Sequence, residues 1–331
     1  MSGAPPGEPP VPQRVFITGA NGFIGRSLAR RYRTLGAEVC GIDFVADPEW
    51  GVIAADMLQP GQWRHVIDGS ELAIHTAALL SNTAPMHDAW RTNVLGTYRV
   101  IEAAEAAGVN RLLHVSSVAV FGFDHLEDVD ENAPLKTINH PYVDTKILGE
   151  YAVLQAHASG RLPATVIRPG DVYGPGSRPW VLLPLEMIRV GRFLLPAHGK
   201  GVFSPVYIDD LVDGIVIAGS SSAAIGQIFS LTGAEKPSCA EYFSYIARMA
   251  GKSGVRTLST PAANLVSDLG GSAARLLGRK SELGRNTVRM LSRRAGYSIT
   301  KAQRLLGYQP RVTLAEGMQR VERWLRDTGA I

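Results

Sequence analysis

Cysteine is scarce in this chain of 331 residues: only Cys40 and Cys239 are present. Two thiols so far apart make no disulfide framework and match no metal-ligand spacing, so both read as buried apolar filler and no metal is expected. Long apolar runs are missing as well, since no stretch approaches the roughly 20 residues needed to span a bilayer. The opening MSGAPPGEPPVPQ has neither a basic segment nor an apolar core, which argues against a signal peptide. Its prolines and glycines predict a disordered leader over residues 1–13. The surplus of one charge is small, +4 net, and suggests no nucleic-acid partner. With 45% apolar residues and no internal repeat, the composition is that of an ordinary globular protein, and a cytoplasmic location is expected.

What is present begins with Thr18-Gly19-Ala20-Asn21-Gly22-Phe23-Ile24-Gly25. The apolar run Val15-Phe16-Ile17 before it reads as a buried strand, and Ser27 to Tyr32 after it as a helix closed by Gly36. Between strand and helix, Gly19 permits a tight turn, Gly22 lets the backbone approach a pyrophosphate and Gly25 lets helix and strand pack closely. Free N–H groups and the positive helix end then face phosphates. A second strand, Glu38 to Asp43, ends in an acid suited to ribose hydroxyls, and no arginine follows it directly in Phe44-Val45-Ala46. That favours NAD over NADP. Val52 to Met57 reads as a third strand leading to an adenine edge at Asp56, and Leu72 to Ala78 as a fourth, in which His75 is packed rather than catalytic. A long helix is predicted over 86–107. Asn93 within it needs partners, and is expected to tie the helix to the cofactor strands.

Arg111 to Ser117 reads as a fifth strand, with Ser116 and Ser117 at the edge where ligands bind in an open parallel sheet. The next helix opens Pro141-Tyr142-Val143-Asp144-Thr145-Lys146. Four residues apart, Tyr142 and Lys146 project from one face. Free tyrosine, pKa about 10, is a poor base, and an ammonium one turn away is expected to lower that value. Ser117 would orient the substrate oxygen while Tyr142 takes its proton.

These motifs, with HTAA, NVLGT, VSSVAVFG and RPGDVYGPG, resemble the extended short-chain dehydrogenase/reductase family. The resemblance implies an α/β fold: a Rossmann-type doubly wound parallel sheet over 14–170 and a smaller C-terminal α/β substrate lobe over 171–331, with some segments returning to the first domain. It implies Ser117, Tyr142 and Lys146 as the catalytic trio, NAD as cofactor and a homodimer built on two helices per subunit. The expected cofactor contacts are Gly19, Asn21, Gly22, Phe23, Ile24 and Gly25, then Asp43, Asp56, Met57, Thr76, Ala77, Ala78, Asn93 and Ser116, with Tyr142 and Lys146, and finally Pro169, Gly170 and Val172 beside the nicotinamide.

Within that family, sugar-nucleotide dehydratases carry an Asp-Glu pair where this chain has Val118 and Ala119. Nucleotide-sugar enzymes commonly have asparagine at Asp171 and an arginine at Phe203. A carboxylate repels a diphosphate and a ring cannot replace a charge-assisted contact. Leu80, Val118, Asp171, Trp180 and Phe203 are the candidate substrate contacts, and the apolar run from Trp180 to Leu195 fits a greasy pocket. The expectation is oxidation of an apolar, sterol-like secondary alcohol, with a small alcohol or ketone as partner. The alternatives are a sugar or nucleotide-sugar 4-epimerase holding NAD tightly, and an NAD-sensing protein with a decayed site. The basic stretch from Arg275 to Arg304 reads as a solvated face or as a surface touching anionic lipid.

Overall fold

The computed structural model describes residues 11–276 and 284–331. Residues 1–10 of the expected leader lie outside the described residues. Seven strands form one parallel sheet: β1 (Arg14–Thr18), β2 (Glu38–Asp43), β3 (Val52–Ala54), β4 (Leu72–His75), β5 (Arg111–Val115), β6 (Ala164–Pro169) and β10 (Ile228–Leu231). Their spatial order is β10-β6-β5-β4-β1-β2-β3. Val15, Phe16 and Ile17 of β1 have no exposed surface. That is why the strand reads as a continuous apolar run: a parallel sheet is covered on both faces. Each such side chain stabilises the fold by about 1.5–3 kcal/mol through burial.

On one face lie α2 (Pro60–Ile67), the broken helix α3 (Met86–Trp90) and α4 (Gly96–Ala106), and α5 (Pro141–Ala158). Trp63 of α2 stacks on Phe16 of β1, with ring centroids 5.7 Å apart. The other face is covered by α1 (Phe23–Thr34) and by α7 (Ile208–Ser220), which returns from the second lobe and is joined to α1 by the Arg31–Asp213 ion pair at 2.9 Å. The order reverses between β1 and β4, so the carboxyl ends of these two strands bound the crevice where an open α/β sheet takes its ligand.

The second lobe pairs β7 (Asp171–Tyr173) with β9 (Pro205–Tyr207), and β8 (Leu194–Leu195) with β11 (Arg256–Thr257). Around them stand α6 (Leu183–Arg189), α8 (Cys239–Met249), α9 (Thr260–Leu276), α10 (Arg285–Leu291), α11 (Thr300–Leu306) and α12 (Leu314–Asp327). Two local expectations change. The third strand stops at Ala54, because Asp56 turns to accept the Leu58 N–H at 2.9 Å. The long helix contains a π turn, Arg91–Leu95, between α3 and α4.

Candidate active site

The turn between β1 and α1 is built as a cradle. Gly19 has φ +68°, and a Cβ placed there would lie 2.9 Å from Ala77. A Cβ on Gly25 would lie 2.1 Å from the Gly19 carbonyl oxygen. Gly22 is the N-cap of α1, no side chain caps this end, and no acid stands in its first turn, Phe23–Arg26. The first N–H groups of a helix lack intrahelical partners. Left uncapped above a crevice, they fit a pyrophosphate.

Asn21 fixes the turn from outside. Its backbone N–H donates to Asp43 Oδ2 at 2.9 Å and its Nδ2 to the Val45 carbonyl at 2.6 Å. Arg26 donates to Asn21 Oδ1 and pairs with Asp47, both at 2.5 Å. An arginine thus does stand near the ribose end, brought by α1 rather than by the residues after Asp43, but Asp47 already neutralises it. Asp56, Met57, Phe44 and Arg91 line a cavity of about 270 Å³ beside the end of β2, a size that suits a purine. Thr76 Oγ1 donates to the Thr18 carbonyl at 2.7 Å, so its side chain braces the glycine turn. Ala77 and Ala78 follow on the same loop, and Leu80 is well exposed.

Asn93 lies in the π turn and is buried. Its Oδ1 accepts the Leu79 N–H at 2.7 Å, while its Nδ2 donates to Thr145 Oγ1 at 2.9 Å. It therefore ties the loop after β4 to α5 as well as to its own helix.

Ser117 caps the short helical turn Val118–Phe121, its Oγ accepting the Ala119 N–H at 3.1 Å. The same hydroxyl stands within reach of the Tyr142 phenol and pulls its pKa down, yet burial outweighs it and the phenol lies above its ordinary value. The expected lowering by Lys146 is corrected on this point. Lys146 donates instead to the Val115 carbonyl at 2.7 Å. Its own pKa is pushed down to about 8 by burial, with Glu150 raising it. Ser117 and Tyr142 are thus neighbours, and the buried Lys146 follows one helical turn on along α5. His140, the N-cap of α5, sets the start of this helix: its Nδ1 accepts from the Tyr142 and Val143 N–H groups. The sequence reading missed this cap because histidine is not among the usual N-cap residues.

Several expected contacts take other roles. Ser116 donates to the Glu150 carboxylate, so its hydroxyl is committed inside the protein. Val118 is buried in a cluster with Val120, Phe121 and Val143 rather than offered to a substrate. Phe203 has no exposed surface, and its ring lies 4.1 Å from that of Tyr242 and 4.9 Å from that of Trp180. It is core of the second lobe, because the lobe's aromatic side chains close over it. Trp180 remains partly exposed at the edge of this cluster. Pro169 ends β6, and the Gly170 N–H donates to the Leu231 carbonyl at 2.9 Å. Val172 is half-buried on β7.

Asp171 is not a free carboxylate either. It pairs with Arg293 at 2.5 Å and accepts the Ser204 N–H at 3.1 Å, and both charged side chains are buried. Repulsion of a diphosphate by Asp171 therefore cannot rest on its own charge. What the pair does is engage Arg293, the cation bonded to the first residue of β7.

The basic stretch is likewise partly neutralised. Arg285 pairs with Asp268 and Arg289 with Asp124. Arg279, Lys280 and Glu282 lie outside the described residues, as does the side chain of Arg275. Among the described residues no group of acids, histidines or cysteines could hold a metal ion, and no helix is long and apolar enough to cross a membrane.

Comparison with known proteins adds to this geometry. The profile of the NAD dependent epimerase/dehydratase family matches residues 15–231. A 4-hydroxy-2-methyl-3-oxo-4-farnesyl-3,4-dihydroquinoline-1-oxide ketoreductase from Stigmatella aurantiaca is 29% identical over 317 residues, covering 92% of this chain and 94% of its own. A 3beta-hydroxysteroid-dehydrogenase/decarboxylase isoform 1 from Arabidopsis thaliana is 28% identical over 346 residues, covering 92% of this chain and 77% of its own. The solved structure of MoeE5 in complex with UDP-glucose and NAD has a TM-score of 0.77 at 25% identity, covering 95% of this chain and 99% of that one.

Proposed function

The chain belongs to the NAD dependent epimerase/dehydratase family, and on that premise we propose that it interconverts a secondary alcohol and its ketone on an apolar, ring-bearing substrate of sterol-like size. The observation that carries the chemistry is the Ser117–Tyr142–Lys146 constellation: a phenol with a hydroxyl at its side and a buried ammonium one helical turn on. NAD supplies the hydride acceptor when bound. Ser117 holds the substrate oxygen, and Tyr142 takes the hydroxyl proton in oxidation or returns it in reduction. Lys146, held cationic, favours the tyrosinate that forms.

Two observations support an apolar substrate. Arg293 is buried and its charge is already balanced by Asp171, so it is not free to meet a diphosphate. The Stigmatella and Arabidopsis relatives are named for a farnesylated quinoline and a hydroxysteroid. A second reading, sugar-nucleotide epimerisation, is favoured by the likeness to a protein solved with UDP-glucose. NADH formation with a panel of 3β-hydroxysteroids and prenylated ring alcohols separates the two. The proposal expects stoichiometric NADH with at least one member. Turnover of UDP-sugars with no net NADH, and none of the panel, would make it an epimerase. Tyr142→Phe should lower kcat by about 10²–10⁴-fold without weakening NAD binding, and unchanged turnover would remove Tyr142 from its role.

A further inference from the structure

Behind the trio lies a group of polar side chains that the proposed chemistry does not use. Glu150 has no exposed surface and Arg168 almost none. Arg168 Nη2 donates to Glu150 Oε2 at 2.6 Å and its Nε to Oε1 at 2.9 Å, the bidentate arrangement. Ser116 completes the shell by donating its hydroxyl to the same carboxylate. The guanidinium also sits 4.7 Å above the Phe121 ring. Three elements meet at this carboxylate. Glu150 is on α5, at i+8 from Tyr142 and i+4 from Lys146. Ser116 directly precedes Ser117 at the end of β5. Arg168 directly precedes Pro169-Gly170, where β6 leaves for the second lobe.

Burying a carboxylate and a guanidinium costs several kcal/mol per ion after relaxation, and a well-packed apolar pair often serves stability as well. A purely structural need would not favour ions here. The charges nearby suggest another reason. Lys146 is the cation one helical turn after Tyr142, its Nζ bonded to the Val115 carbonyl. The ionisable groups that feel its charge are Glu150 on α5, His75 on β4 and His114 on β5, and both histidines are kept uncharged by burial. Among these groups Glu150 is the one anion. The group of Lys146, Glu150 and Arg168 carries a net charge of +1, the complement of one tyrosinate.

We propose that Glu150, held by Arg168 and Ser116, is a positioning residue of the reaction: it fixes Ser117 and Tyr142 in one frame and keeps Lys146 an ammonium in a site that would otherwise discharge it. This rests on the reading of Tyr142 and Lys146 given above.

The test reads Lys146 directly. In protein labelled with ¹³C at the lysine ε carbons, the Lys146 signal is identified by its loss in Lys146→Arg, and its pH titration is followed without any substrate. The wild-type signal should titrate near pH 8. In Glu150→Gln the midpoint should fall by about one pH unit, the effect of removing one nearby charge in a protein interior. The pH–rate profile should move with it, both limbs shifting to lower pH, since removing an anion lowers the pKa of Lys146 and of Tyr142 alike. Glu150→Gln leaves Arg168 unpaired and could unfold the chain, so Glu150→Gln with Arg168→Met serves as the second variant and should show the same direction. Glu150→Asp keeps the charge: its midpoint should stay near that of wild type while kcat falls. A folded variant lacking Glu150 whose Lys146 titrates as in wild type overturns the proposal. Absence of turnover in wild type counts against the oxidoreductase reading alone, because the lysine titration does not depend on it.

Discussion

His75 shows how a single side chain is fixed by what surrounds it. Its Nδ1 lies 2.7 Å from Thr18 Oγ1 and its Nε2 3.0 Å from Thr97 Oγ1. Thr97 spends its one hydroxyl proton on the Asn93 carbonyl at 2.7 Å, so the His75 Nε2–H donates to Thr97 and Nδ1 accepts from Thr18. The ring is a neutral brace between β4, the glycine turn and α4. Burial and the Lys146 charge push its pKa down to about 3, and the same two causes hold His114 well below its ordinary value. For such groups the unfolded chain binds protons that the folded one refuses. Their cost is absent above the ordinary histidine pKa near 6.5, and stability falls as pH drops from there toward 3. Each histidine should contribute a slope of about 1.4 kcal/mol per pH unit. Urea melts at pH 7.5 and pH 5 should show a clearly lower midpoint at pH 5, and equal midpoints would mean the rings are charged in the fold.

Among the elements, the β1–α1 turn was fully legible. Its glycines are spaced for contacts that the backbone itself makes, and those contacts need no distant partner. Gly25→Ala should raise the dissociation constant for NAD at least tenfold, because a Cβ 2.1 Å from the Gly19 carbonyl must open the turn. Calorimetric titration of NAD would show it, and wild-type affinity would mean that the turn can relax. The helix over 86–107 was legible as a helix and not as a broken one. Its π turn places Asn93 between Leu79 and Thr145, and neither partner is near it in sequence. A π turn at a functional site is a recurrent device, but one side chain in an apolar helical pattern gives no sign of it. Phe203 was misread for the opposite reason: an isolated ring before a strand looks available until Tyr242, Phe243 and Trp180 are folded over it.

For the molecule as a whole, the α3–α4 and α5 segments leave Trp90, Tyr98, Leu148 and Tyr151 substantially exposed. Large apolar side chains on neighbouring helices suit a two-helix contribution to a self-complementary interface. Sedimentation velocity should find a dimer, and Leu148→Asp with Tyr151→Asp should give a monomer. A wild-type monomer at micromolar concentration would exclude that interface. Charges tie distant segments as well as packing does: Asp171–Arg293 joins β7 to the residues after α10 within the second lobe, and Arg31–Asp213 joins α1 to the returning α7. Asp171→Ala strands a buried guanidinium and should lower stability by about 3–5 kcal/mol, read from the urea midpoint. A loss under about 1 kcal/mol would show that Arg293 finds other partners.

The amino-acid sequence alone determined the first strands, the glycine turn and the placing of Tyr142 and Lys146 one helical turn apart, because each depends on short-range spacing: apolar runs, glycines at fixed intervals, and side chains on one helix face; the doubly wound order of the sheet came from the family resemblance. Only the tertiary structure decided which polar and charged groups remain available. Asp171, Ser116, Arg285 and Arg289 all find partners far away in the chain, and the burial of Lys146, His75 and Phe203 follows from elements that meet only when the sheet closes. Desolvation and ion pairing are properties of neighbours in space, and a linear pattern records only neighbours in order.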